Sequence, residues 1–205
     1  MAARGGKTVG VNDPAVSPHV KTWIMQNGIM VCGITSEGAV KDVQDNWNSP
    51  FEGEAVGSKF AKTGGVIQSG LIEDTVGIGA GSGQTSISLI QSRQVWEGAQ
   101  PHSFTLPIWF YALQDAYSEV SLALRYLEEF RSPELNNATP FGRIPQPVTI
   151  KIGKRAIYPN CVIESLSEPL DTQVDKNGYP VTCMVNLQVQ TKQIINRSQV
   201  ASHYG

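Results

Sequence analysis

Between Val181 and Gln190 the chain alternates almost without a break. Val181, Cys183, Val185, Leu187 and Val189 take one parity, and Thr182, Met184, Asn186, Gln188 and Gln190 take the other. A period of two sends successive side chains to opposite sides of a sheet, so this stretch is a strand with one buried face. The rest of the fold must therefore supply an apolar surface to cover that face. The opposite face carries no charge and is rich in amides, which favours a surface that packs against something or lines it. We take Thr182, Asn186, Gln188 and Gln190 as a candidate lining or contact face. The region from Cys161 to Thr191 reads as two strands joined by a turn, with this strand as the second.

The rest of the chain is uneven. Residues 1–20 hold Gly, Pro and small polar residues without a period and read as a flexible or extended N-terminal arm. Trp23, Ile24, Met25, Ile29, Met30 and Val31 flank Asn27-Gly28, the pattern of a hairpin with a tight turn. Residues 35–53 read as loop. From Ala55 to Ile72 the apolar spacing is loosely helical but is interrupted by glycines. The run Gly77, Gly79, Gly81, Gly83 reads as a mobile loop before a strand over Thr85 to Val95. An apolar strand is expected over Ser103 to Leu113. Asp115 then caps a helix over about 116–131, with Val120, Leu124 and Leu127 on its apolar stripe and Ser132-Pro133 as its stop. After a Pro-rich link come Val148 to Ile152 and a turn at Gly153-Lys154. The expected fold class is β-rich (α+β), with one main domain over 21–197 and a C-terminal tail over 198–205.

A chain of 205 residues is long enough to bury roughly 70% of its unfolded surface without staples. Its charged fraction, 17%, lies below the roughly 25% of ordinary globular domains, so its surface is readier to associate. The formal net charge of −2 gives no support to binding nucleic acid by counterion release. Cys32, Cys161 and Cys183 lack metal-site spacing and read as buried thiols in a reducing compartment. No apolar run approaches the ~20 residues of a membrane span, and the N-terminus lacks the apolar core of a signal peptide, so the expected site of synthesis and first use is a cytosol. The sequons at Asn137 and Asn196 then carry no weight.

The chemical motifs fail. The glycine run is not GxGxxG, because Ser82 stands where the third glycine belongs, and Gly6-Lys7-Thr8 lacks the strand and first glycine of a P-loop. His19, His102 and His203 are far apart in sequence and form no metal-ligand spacing. No nucleophile elbow is present, and the acidic pairs Glu73-Asp74 and Glu128-Glu129 read as solvated faces. Trp96, Phe104, Trp109, Phe110 and Tyr111 resemble a stacking platform for single-stranded nucleic acid, but only Arg93 and neutral His102 accompany them. Strand core and subunit contact is the reading favoured for these aromatics. No catalytic residue, cofactor or metal is expected.

The order of elements over about 84–195 resembles the baseplate tail-tube initiator family of contractile phages. The resemblance is carried by Trp96-Glu97-Gly98, then Phe104-Thr105-Leu106-Pro107, then a strand ending near Asp115 and a helix starting near Glu119-Val120. Val148 to Gly153, Cys161 to Ser167, Asp171, Asn177-Gly178-Tyr179-Pro180 and the alternating strand complete it. The resemblance implies a tail-tube-like β-sandwich or barrel with one flanking helix, assembled as a hexameric ring around a tail lumen through which DNA passes without specific binding. It implies other baseplate, tube or sheath proteins as partners, no membrane insertion, and a place in the virion after assembly in the host bacterial cytoplasm. A main tail tube protein is the alternative within this class. A peptide or single-stranded nucleic-acid binding module is the alternative outside it.

Overall fold

A computed structural model describes residues 6–11, 13–48, 93–135 and 142–204. The expected helix within 55–72, the glycine run, most of the strand over 85–95, Glu73-Asp74 and Asn137 lie outside the described residues. Backbone contacts divide the chain into two compact units, residues 45–100 and the remainder.

The larger unit is built on a closed barrel of six antiparallel strands. Its strands run β2 (Lys21–Gln26), β3 (Ile29–Thr35), β7 (Ser103–Tyr111), β8 (Val148–Ile152), β9 (Ala156–Ser167) and β10 (Thr182–Thr191). Around the wall the order is β3-β2-β8-β9-β10-β7, and β7 returns to β3 through Ile34↔Trp109 and Thr35↔Ile108. Two short strands extend this seam. β1 (Lys7–Gly10) pairs parallel with the first half of β3, and β4 (Val40–Asp42) pairs antiparallel with the start of β7. They cover strand edges that the closure leaves free, where unpaired backbone groups would otherwise invite stray pairing.

The barrel follows from the alternation along its strands. On β10 the parity of Cys183 and Val189 points inward, and β7 does the same with Phe104, Leu106, Ile108 and Phe110. Ile24, Val31, Val148 and Ile150 complete the filling from the other side. Asn27 and Gly28, at φ 50° and 80°, make the β2–β3 turn left-handed at both central positions, as a tight hairpin requires. Gly33 sits at the seam because a Cβ there would run into Ile108 Cγ2 and the Phe110 ring. Thr22 and Thr35, both turned inward, share a 2.6 Å hydroxyl hydrogen bond.

A π-turn over Tyr117–Ser121 leads into helix α1 (Leu122–Arg131). The Asp115 carboxylate accepts from the backbone N–H of Tyr117 (3.3 Å) and Ser118 (3.1 Å), while Glu119 Oε2 accepts from Leu113 (2.6 Å) and Gln114 (3.0 Å). These bonds satisfy donors that a helix start leaves free. Val120, Leu124 and Leu127 are buried in the same core as the barrel strands, as their stripe predicts. No helix among the described residues is long and apolar enough to cross a membrane.

Four segments differ from the sequence expectation. The stretch read as loop over 35–53 contains β4 and also β5 (Asp45–Asn48), which pairs with β6 (Val95–Ala99) as a two-stranded ribbon in the smaller unit. β9 starts at Ala156, not Cys161. Lys7–Gly10, within the expected arm, is a strand, and Val9 and Val11 behind it are buried. The expected tail folds from Arg197 to His203 as helix α2, whose Asn196 and Gln199 form a reciprocal capping box.

Candidate subunit-contact face

The outward parity of β7, β9 and β10 forms one continuous surface. Antiparallel register sets Thr182 opposite Tyr111, Met184 opposite Trp109, Asn186 opposite Pro107, Gln188 opposite Thr105 and Gln190 opposite Ser103. On the other flank Asn186 faces Ser167, Gln188 faces Ser165, and a bulge between Gln188 and Val189 brings Val162 opposite Gln190. All four residues expected to form a contact face therefore lie in one row, with Asn186 and Gln188 exposed and Thr182 and Gln190 half-buried. No residue in these cross-strand rows carries a formal charge at neutral pH.

The alternation of β10 alone missed the apolar half of the face. Trp109 is 41% exposed and Met184, its cross-strand neighbour, 47%. The Tyr111 ring lies 4.8 Å from that of Trp109, centroid to centroid. Reading β7 in period two would have found them, since Thr105, Pro107, Trp109 and Tyr111 alternate with four buried residues. That split also separates the aromatics once grouped as a stacking platform. Phe104 and Phe110 are 3% and 0% exposed and belong to the core, leaving Trp109 and Tyr111 to the outside.

Ionisable groups border the face. Tyr111 donates a 2.7 Å hydrogen bond to Asp13 Oδ2, which pushes its phenol up to about 12 and holds the Asp13 carboxyl below its ordinary value. Beside Met184, on the flank where β10 meets β9, a recess of ≈ 470 Å³ lies among Pro107, Met184, Asn186, Ser167, Glu168 and Pro169. Burial raises the Glu168 carboxyl above the usual glutamate value, and the Glu128 carboxylate adds to the rise.

The remaining polar candidates do not converge. Burial pushes the thiols of Cys32 and Cys183 up to about 11 and that of Cys161 up to about 12. All three are thus protonated, not nucleophilic thiolates, at neutral pH. His19 is exposed in the turn before β2, His102 precedes β7, and His203 lies on α2 with Nδ1 2.9 Å from the Ile157 carbonyl. Among the described residues no group of three or more His, Cys, Asp or Glu is gathered to hold a metal. The Glu128-Glu129 pair is exposed on α1, where Glu129 accepts a 2.8 Å bond from Arg125. What the described residues do assemble is a partly aromatic sheet face on a closed barrel, neutral in its paired rows and carrying one exposed carboxylate, Glu164, in the bulge of β9. No family model and no curated protein sequence matches the chain, so its functional reading rests on its own residues.

Proposed function

We propose that this chain is a non-enzymatic structural subunit of a contractile phage tail. It forms a tube-like ring, hexameric as the resemblance implies, at the baseplate end, where it connects to or initiates the tail tube. The observation that carries this reading is the cation-free outer face of β7, β9 and β10, with Trp109 and Met184 exposed side by side on a closed barrel and Glu164, in the bulge of β9, as its one charge within the strands. A closed barrel offers few free strand edges, so association has to use side-chain faces. A ring needs two different complementary surfaces on each subunit, and this face supplies one of them. The lack of cations on this face also suits a conduit, because phosphates gripped by cations would stall passing DNA.

Electron microscopy of the purified protein and of tails from virions tests the reading. Sixfold annuli present in a few copies at the baseplate end are expected. Copies stacked along the whole tail would instead make it the main tube protein. A stable monomer that never enters tail particles would overturn the proposal.

A further inference from the structure

A second recess, on the inward side of β4 and β7, is left unused by ring formation through the outer face. It holds ≈ 340 Å³, a size at the small end of ordinary ligand pockets. Its floor is apolar, with Phe104, Leu106 and Ala156 all buried. Its rim is polar and follows from strand register: Lys41 lies opposite Phe104 and shares its parity, and Tyr204 bridges back to Ala156. Lys41 Nζ donates to Tyr204 Oη at 2.9 Å and to Tyr158 Oη at 3.4 Å, and stands 5.3 and 5.6 Å from the two ring centroids.

Charge is what distinguishes this recess. Its lining holds two cations, Lys41 and Arg155, and no carboxylate. The partners of Lys41 are both neutral phenols, and the Arg155 guanidinium has no hydrogen-bond or ion-pair partner among the described residues. Two uncompensated cations over an apolar floor favour a ligand with a negative head and an apolar body, since guanidinium and ammonium groups pair strongly with carboxylate or phosphate oxygens.

We propose that this recess binds a small amphipathic anion, its carboxylate or phosphate head held by Lys41 and Arg155 and its apolar body lying on Phe104, Leu106 and Ala156. The site does not depend on the ring reading, because it faces away from the β7–β10 outer surface. The probes are phenyl phosphate and phenylacetate, titrated calorimetrically into the full chain, with inorganic phosphate and benzyl alcohol as the head and body alone. Saturable binding of at least one aromatic anion at about 1 mM or below is expected. It should exceed that of both controls and weaken about tenfold or more in Lys41→Gln and in Arg155→Gln. The phosphate and carboxylate arms identify the preferred head group.

Absorbance at 295 nm gives a second readout. The hydrogen bond from Lys41, then that from Tyr158, holds the Tyr204 phenol below its ordinary value. An anion that takes up the Lys41 charge should move the Tyr204 titration upward. Failure of both anions to saturate, unchanged binding in the two variants, or a Tyr204 titration indifferent to bound anion would each overturn the assignment.

Discussion

β7 and β10 present two faces built on one hydrogen-bonded ladder, and the faces obey different rules. Inside, Phe104, Leu106, Ile108 and Phe110 meet Cys183, Val185, Leu187 and Val189, none more than 3% exposed. Outside, the same strands show hydroxyls, amides and the Trp109–Met184 pair, with Pro107 buried between them. The inner face is fixed by volume, because interiors pack like crystals and a lost methylene leaves a void. The outer face is held more loosely, by the Tyr111–Asp13 hydrogen bond and the Trp109–Tyr111 ring contact, and leaves much of Trp109 and Met184 open to a partner. The lesson is that one strand can carry stability and association on opposite parities, so substitutions can address each separately.

The sharpest way to break this comparison is to truncate the inner face. Phe110→Ala empties space beside Gly33 at the seam and should lower the unfolding free energy by about 3–5 kcal/mol, measured by urea denaturation. A loss below about 1 kcal/mol would mean that the inner face is not tightly packed. The outer face should answer differently. The double variant Trp109→Ser with Met184→Ser should cost about 1–2 kcal/mol, from the lost ring contact with Tyr111 and the half-buried side chains, while ring formation seen by analytical ultracentrifugation is lost. If it cost as much stability as Phe110→Ala, the two faces would not be separable.

The smallest effect sharpens the edge of the outer face. Because the folded-state value of Glu168 is raised, its protonated form is favoured by the fold. Its contribution is therefore complete below the ordinary glutamate range and is lost as pH rises through the raised value. Glu168→Gln, which cannot ionise, should raise the Tm slightly at pH 7, and this gain should vanish as pH falls below the ordinary glutamate value. A gain that is constant with pH would point to packing, not ionisation.

Sequence reading succeeded where periodicity was long and local. The alternation of β10, the Asn27-Gly28 turn and the Val120, Leu124, Leu127 stripe each declare their structure without distant help. β4 and β5 were invisible because three or four residues with a single apolar one, Val40 or Trp47, have no readable period, and their pairing comes from β7 and β6 far along the chain. The first part of β9 was hidden by Pro159 and by Asn160 at φ 57°, where the pairing with β8 slips; proline and left-handed residues usually mark the end of a strand. Helix α2 did leave a signal, since Asn196 followed three residues later by Gln199 resembles a capping box. The candidate face was half legible. Its amide row was evident in β10, but the pairing of Met184 with Trp109 is a register fact that no single segment contains.

The two-pair closure between β3 and β7 also determines how the wall yields. Nine consecutive pairs join β7 to β10, whereas β7 meets β3 only through Ile34↔Trp109 and Thr35↔Ile108, followed by a 2.9 Å bond from the Ser36 N–H to the Pro107 carbonyl. A cylinder opens where its stitching is shortest. Backbone amides along this seam should therefore exchange with solvent through brief local parting, while those between β7 and β10 wait for the whole domain to unfold. The seam strand of β7 also carries Trp109, so a neighbouring subunit seated on that residue would brace the barrel at the place where it most readily comes apart.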